Sequence, residues 1–544
     1  MATDSPQAPT KTALTLGLLA GVAVALFATL WLIDYAALGT AERAGRGPLS
    51  LFEFEAETMQ NAIASLAQVI AAVLGIAITV VSIVVQLAAN RYTSRVADMF
   101  FRDRTNLAVM GFFVVACIET LWVSFGITHD HVPRVTVTAT LVMATTSLLV
   151  LVPYFAYVFA FLDPEKVIAR IGAQTLESAA PHKRVAGDTP EARQSLAVAG
   201  LEQLAGIAMN ALAQKEKTIA SDATAALRTV LVDYLPEKQG LPAEWFALSR
   251  ALRAHPDFVA MAPESLNELE RDHAWLEWMG LRQIREVFSE ALKTLPEMTH
   301  VVAIDTRYVG EAAIDARDRE VLRLTIKFFN TFMRASLNAR DVRTSYNVLH
   351  QYRQLAEAML RVPGNAVPWI TTALEDVAGH FKYYAQLAHN LGLGFVTETA
   401  AYDLCALCEA ASELFAPCHD RLLRVFLEID KEAETTAEEK ALRGVRKAQA
   451  KLASFYLLRG HAPHARAIYQ DMAQESPERL RSIRDEMLAV TSKEFWEVVD
   501  RGQNFDYIDD ARKEKLREFF AQFDSITRLP PRDKPTGPYT VTGP

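Results

Sequence analysis

Apolar and polar positions divide the chain unevenly. Over residues 13–162 long apolar runs carry few charges, while from residue 163 onward charged and apolar positions alternate with helical periodicity. A helix needs roughly 20 mostly apolar residues to cross a bilayer. Four segments reach that length: residues 13–33, 63–89, 107–127 and 135–162. Pro153 lies late in the last of these and predicts a kink there. Lys11 ahead of the first run suggests a secretory signal. That run is longer than a signal's apolar core, however, and it ends in Leu32-Ile33-Asp34-Tyr35 with no small-residue cleavage pattern. It reads as a retained span.

The remainder predicts helices over residues 191–214, 219–235, 264–295, 319–338, 342–360, 370–391 and 398–415, then 437–458, 463–474 and 477–499. Pro236, Gly240-Leu241-Pro242, Pro263, Pro363-Gly364 and Gly392-Leu393-Gly394 fall between them as breakers. The expected fold is therefore all-α: a four-helix transmembrane unit followed by a large cytosolic helical bundle or α-solenoid. Its expected parts are a disordered N-terminus (1–12), the four-span domain (13–162), a linker (163–190), the helical domain (191–527) and a disordered Pro-rich tail (528–544). Within 449–482, Leu452, Ala453, Tyr456, Gly460, Ala465, Tyr469 and Pro477 stand at the spacing of a tetratricopeptide repeat. In such a hairpin small residues let two helices approach and aromatics fill the gap between them. Any packed helical hairpin accounts for the same residues.

Charge sets the orientation. Arg91, Arg95, Arg102 and Arg104 follow the second run, and Lys166, Arg170, Lys183 and Arg184 follow the fourth. The positive-inside bias places both segments in the cytoplasm, and an even number of spans brings both termini there. The expected location is a bacterial inner membrane. A net charge of −9 excludes a nucleic-acid binder held by bulk charge, and 51% hydrophobic residues exclude a disordered chain. The four cysteines read as free thiols.

The run from Ile78 to Arg95, which closes on Gln86-Leu87-Ala88-Ala89-Asn90-Arg91-Tyr92-Thr93-Ser94-Arg95, is followed by Phe101-Arg102-Asp103-Arg104 and Gly111. It resembles a family of bacterial predicted membrane proteins of unknown function. Leu201-Glu202-Gln203-Leu204-Ala205-Gly206-Ile207-Ala208-Met209-Asn210-Ala211-Leu212 is similar to a cytosolic helix of that family. The chain departs at Ala213-Gln214-Lys215-Glu216-Lys217, where the family continues into a Ser-Pro-Gly-Ile-Asn-Asp-Pro-like loop. The resemblance covers about the first 235 residues. It implies four spans and a bacterial source, and it implies no mechanism.

Some residues stand out for their chemistry. On the second span Ala67, Ala71, Gly75, Thr79, Ser82 and Gln86 share one side. They suit tight helix packing, or, with Asn90, the lining of a hydrated path. Glu119 lies near the middle of the third span, where an ionised carboxylate costs roughly 3 kcal/mol on insertion scales. It is expected to be protonated, hydrogen-bonded or wet, with span-two polar groups and span-four threonines such as Thr138 and Thr145 as donors. Arg91, Arg95, Arg102 and Arg104 suit anionic lipid headgroups as well as plain anchoring. His129-Asp130-His131 has metal-ligand residue types in a turn too short to complete a site. Cys405, Cys408, Cys418 and His419 hold a C-x2-C spacing, but Cys405 and Cys408 sit in an apolar helix and read as core.

No nucleotide-binding, metalloprotease or serine-hydrolase motif is present. The expectation is a non-enzymatic membrane anchor without cofactor. It would hold a helical interaction domain for a cytosolic protein partner, with the lipid bilayer as its other partner and homo-oligomers allowed. The alternative is an oligomeric channel or transport protein lined by the second and third spans.

Overall fold

The computed structural model describes Ala25, Thr29 and residues 56–91, 94–128, 134–181, 189–363, 367–429, 442–495, 501–502 and 504–524. The first expected span, the His129-Asp130-His131 turn and both expected tails lie outside the described residues, Ala25 and Thr29 apart. No strand occurs among the described residues. The chain divides into two compact units, residues 1–170 and 171–544.

The first unit holds α1 (Ala56–Arg91), α2 (Ser94–Phe101), α3 (Arg104–Gly126) and α4 (Arg134–Phe161). At 1.5 Å per residue the 36 residues of α1 span about 54 Å, well beyond a hydrocarbon core of about 30 Å. Ile63, Ala67, Ile70, Ala77, Val81, Val85 and Ala88 form its buried seam against α3 and α4. These positions recur at steps of three, four or seven residues, so one aliphatic stripe meets two neighbours. Trp122, Phe125, Val135 and Phe159 of α3 and α4 stay exposed on the unit's surface, as apolar side chains facing lipid tails do.

Helix α5 (Pro164–Ala179) occupies most of the expected 163–190 linker. Val167, Ile168, Ile171 and Thr175 are buried on one face, and the charges of Glu165, Lys166 and Glu177 alternate with them and mask the period. From Ile171 on, its residues belong to the second unit.

That unit continues with α6 (Pro190–Ala213), α7 (Lys217–Glu237), α8 (Pro263–Arg271), α9 (Trp275–Thr294), α10 (Met298–Asp315), α11 (Arg319–Asn338) and α12 (Val342–Leu360). Then follow α13 (Pro368–Asn390), α14 (Gly394–Glu413), α15 (His419–Leu427), α16 (Arg443–Leu458), α17 (Ala462–Met472), α18 (Pro477–Ala489) and α19 (Asp510–Asp524). The packing order is regular. Helices α6, α9, α11, α13, α15 and α17 pack each on the next in one layer. Helices α7, α10, α12, α14, α16 and α19 do the same in a second layer. Consecutive helices of the two layers pair as hairpins, which is the arrangement of an α-solenoid.

The turns carry the repeat. Lys215, Arg317, Arg340, Gly392, Phe415 and Gly460 each take a positive φ between +53° and +79° just past a helix end. The next residue then donates back to a carbonyl five residues earlier, as Asp318 N does to Ala313 O at 2.8 Å and Asp341 N to Ser336 O at 3.0 Å. Ala316-Arg317-Asp318 and Ala339-Arg340-Asp341 are the same tripeptide doing the same work. In both the aspartate caps the next helix, accepting from Val321 N and Thr344 N.

Close approach sets one further sequence choice. A Cβ on Gly310 would lie 2.8 Å from Leu355 Cδ1 and 3.0 Å from Thr325 Cγ2, so a larger residue there would have to displace side chains of α11 and α12.

Three expectations need correction. The helix read over 264–295 is broken: His273, at φ 53°, separates α8 from α9. Helix α10 was not legible, because Val301, Val302, Ile304, Thr306 and Val309 give it a strand-like, β-branched composition. Pro477, past the second helix of the tetratricopeptide-like hairpin, opens α18 as expected, with Ser476 capping Arg479 N, but α18 ends at Ala489, short of the expected residue 499. The rest of that hairpin stands as expected, with Leu452, Ala453, Tyr456, Ala465 and Tyr469 buried and Gly460 in the turn.

Candidate functional site in the membrane unit

Glu119 faces Thr140 of α4. The Thr140 hydroxyl is fully buried and lies 2.9 Å from both carboxylate oxygens and 2.9 Å from its own Thr136 carbonyl. A hydroxyl has one proton to give. Thr140 shares that proton between the Glu119 carboxylate and its own Thr136 carbonyl. The partner is thus Thr140, one of the span-four threonines, two residues from Thr138 and five from Thr145; Thr145 donates to its own Leu141 carbonyl. Position 140 is the one that α4 turns toward α3. Glu119 also lines a groove of about 580 Å³ with Val115, Ile118, Trp122, Val123, Gly126 and Thr136.

The span-two polar residues are not brought to it. Thr79, Ser82 and Gln86 are exposed on the described unit, and Thr79 bonds the Gly75 carbonyl of its own helix at 2.8 Å. The aliphatic seam wins the packed side of α1 because three helices meet there. The side chains of Asn90, Arg91 and Arg95 lie outside the described residues. Arg102 and Arg104 are exposed at the turn between α2 and α3.

That turn holds a cluster of hydrogen-bonded polar side chains. Asp103 caps α3, accepting from Thr105 N at 2.9 Å and Asn106 N at 3.3 Å, and it also accepts from the Tyr157 hydroxyl. Asn106 is buried, donates to Phe100 O at 3.3 Å and accepts from Tyr154 at 2.7 Å. The Arg170 guanidinium stacks 3.9 Å over Phe161, which meets Phe100 edge-on. The Phe-Arg-Asp-Arg turn is therefore a clamp between the start of α3 and the end of α4. Asn106, Thr140, Tyr154 and Tyr157 were not singled out from sequence. Single polar residues in apolar runs were the available signal.

In the second unit Cys405, Cys408 and Cys418 are free and buried. Burial pushes the Cys418 thiol up to about 11 and the other two higher, so all three stay protonated and act as core. His419 points elsewhere: its Nε2 lies 2.7 Å from the Tyr456 hydroxyl.

By length and composition α1, α3, α4 and α6 are each apolar enough to cross a membrane. Helix α6 spends that surface inside the second unit against α7 and α9. Its buried Gln194 donates to Trp245 O and Ala247 O at 2.9 and 2.8 Å. The fold and its polar positions define a membrane protein that carries a helical-repeat domain. Residues 10–238 match the model of a family described as "Predicted membrane protein (DUF2254)", which takes in the membrane unit and the first solenoid hairpin. No curated protein matches the chain. A solved structure, a circular tandem repeat protein with novel repeat topology and enhanced subunit contact surfaces, is similar at 13% identity and TM-score 0.32, covering 86% of this chain and 96% of its own.

Proposed function

We propose that the membrane unit anchors the solenoid at the cytoplasmic face of a bacterial inner membrane, and that the solenoid binds a protein partner there. On this reading the chain is not an enzyme, and both termini are cytoplasmic. Arg102 and Arg104, exposed beside the first unit's clamp, meet anionic headgroups.

The observation that carries the proposal is an apolar edge of the solenoid. Phe415 is 87% exposed and holds a left-handed φ of 53°, a conformation that a bulky side chain adopts at a cost of about 1–2 kcal/mol. Leu414 and Leu458 are exposed beside the ends of α14 and α16, and the Arg459–Glu413 ion pair of 2.5 Å joins these two ends. The φ is that of the shared turn, but an exposed phenylalanine where the equivalent turns carry lysine, arginine or glycine is consistent with selection for contact. The test is a native gel of full-length protein extracted in mild detergent. Wild type is expected in an assembly larger than the chain. Phe415→Ser with Leu458→Ser should release the free chain without lowering its melting temperature. An unchanged assembly in that variant would count against the edge.

The Glu119 groove supports a second reading, a channel or transport path formed by several copies. The Thr140 partner favours a structural carboxyl over a pore-lining one.

A further inference from the structure

The starts of α15 and α17 bring together His419, Asp420 and His464, whose donor atoms all lie within 4.8 Å of one another. We propose that these three residues form a binding site for a divalent first-row transition metal, with zinc as its probe, stapling two neighbouring repeats of one solenoid layer.

The geometry is nearly that of a coordination shell. His464 Nε2 lies 2.8 Å from Asp420 Oδ1, and His419 Nδ1 lies 3.9 Å from the same oxygen. Metal–ligand bonds of about 2.0–2.1 Å in a tetrahedron put donors about 3.3 Å apart. One separation has to open and the other close by about half an ångström. Asp420, 81% exposed, is free to make that adjustment.

The surroundings prepare the imidazoles. Tyr456 lies 2.7 Å from His419 Nε2; with Nε2–H donating to the tyrosine oxygen, Nδ1 turns its lone pair toward Asp420. His464 Nδ1 is buried with no hydrogen-bond partner among the described residues. Two histidines and one carboxylate, with a water completing four-coordination, suit zinc better than calcium or magnesium, which prefer all-oxygen shells.

Sequence spacing alone points to the wrong set. Cys418-His419-Asp420 and His461-Ala462-Pro463-His464 lie far apart along the chain, and the C-x2-C spacing draws attention to Cys405 and Cys408, which are core.

The test uses the full chain in detergent, stripped with chelator and titrated with Zn²⁺ against a chromogenic indicator, with melting curves in parallel. One equivalent is expected to bind wild type and to raise its melting temperature. His464→Ala and Asp420→Asn should each weaken binding at least tenfold, and the exposed Asp420 change should leave the zinc-free melting curve intact. Cys405→Ser with Cys408→Ser should bind as wild type does. Absence of binding by folded wild type, retained stoichiometric binding in a His419→Ala, His464→Ala double variant, or loss of binding in the cysteine variant would each overturn the site.

Discussion

Glu119 shows how a single residue can be conspicuous in sequence while its partner is not. A carboxyl among Ile118, Thr120 and Leu121 announces itself by its cost in hydrocarbon. Which of several α4 threonines answers it depends on how two helices are rotated, and composition carries no trace of that. Given the Thr140 contact, Glu119→Gln keeps a donor and an acceptor in place and should leave stability unchanged, while Glu119→Leu should cost roughly 1–2 kcal/mol. Thermal unfolding in detergent separates the two. Reconstituted liposomes with an ion-flux dye should show no difference between wild type and the Gln variant; a reproducible loss of cation flux in a folded Gln protein would favour the channel. His350 of α12 is a second residue-scale case. Burial, then Arg501 and Arg353, lower its pKa to about 3 from an ordinary value near 6.5. The unfolded chain therefore binds this proton first on acidification. The contribution is fully present above about pH 6.5 and is lost as pH falls toward about 3. His350→Gln should flatten that part of the stability–pH curve, as followed by melting temperature at several pH values.

Helices were the most legible scale. Helices α6, α7, α11, α12 and α13 begin and end within a few residues of the periodic apolar runs that announce them. The failures have physical causes: α10 is β-branched, α5 is masked by alternating charge, and the 264–295 run conceals a turn at His273. The ion pairs between elements were not legible either. Glu277 of α9 is fully buried, with Lys238 Nζ 2.7 Å from it and equally 2.7 Å from Asp318, the cap of α11. Burial alone would pull the Lys238 pKa down, yet Glu277 and Asp318 outweigh it and hold it up; burial raises that of Glu277. Lys238→Met strands a buried carboxylate and should cost about 3–5 kcal/mol, while adding Glu277→Met should recover most of that loss. Urea unfolding followed by circular dichroism would show it; equal loss in single and double variants would mean that the pair itself stabilises the joint. Asp341→Ala, by removing one cap, should cost only about 1 kcal/mol.

At the scale of the molecule, the division into an apolar N-terminal unit and a charged helical unit was plain in the pattern of charges. The choice between bundle and solenoid was not, because it depends on which helices pack across hairpins. The twin Ala-Arg-Asp turns at 316–318 and 339–341 were the repeat signal in plain view, and they were easy to pass over because they mark loops between helices and not the apolar faces. On the proposed topology, with the basic segments cytoplasmic, a cysteine placed at Asp130 should react with a membrane-impermeant label in intact cells, and labelling only after permeabilisation would reverse the orientation. The central claim, a membrane-held solenoid that grips a partner by its edge, is most directly tested by placing a photoreactive phenylalanine analogue at position 415 of the full-length protein in living cells. Irradiation should give one discrete adduct, the same protein by mass spectrometry in every repeat, and lost when Leu414 and Leu458 are changed to serine. A band at the mass of the chain alone, with or without light, would contradict the account.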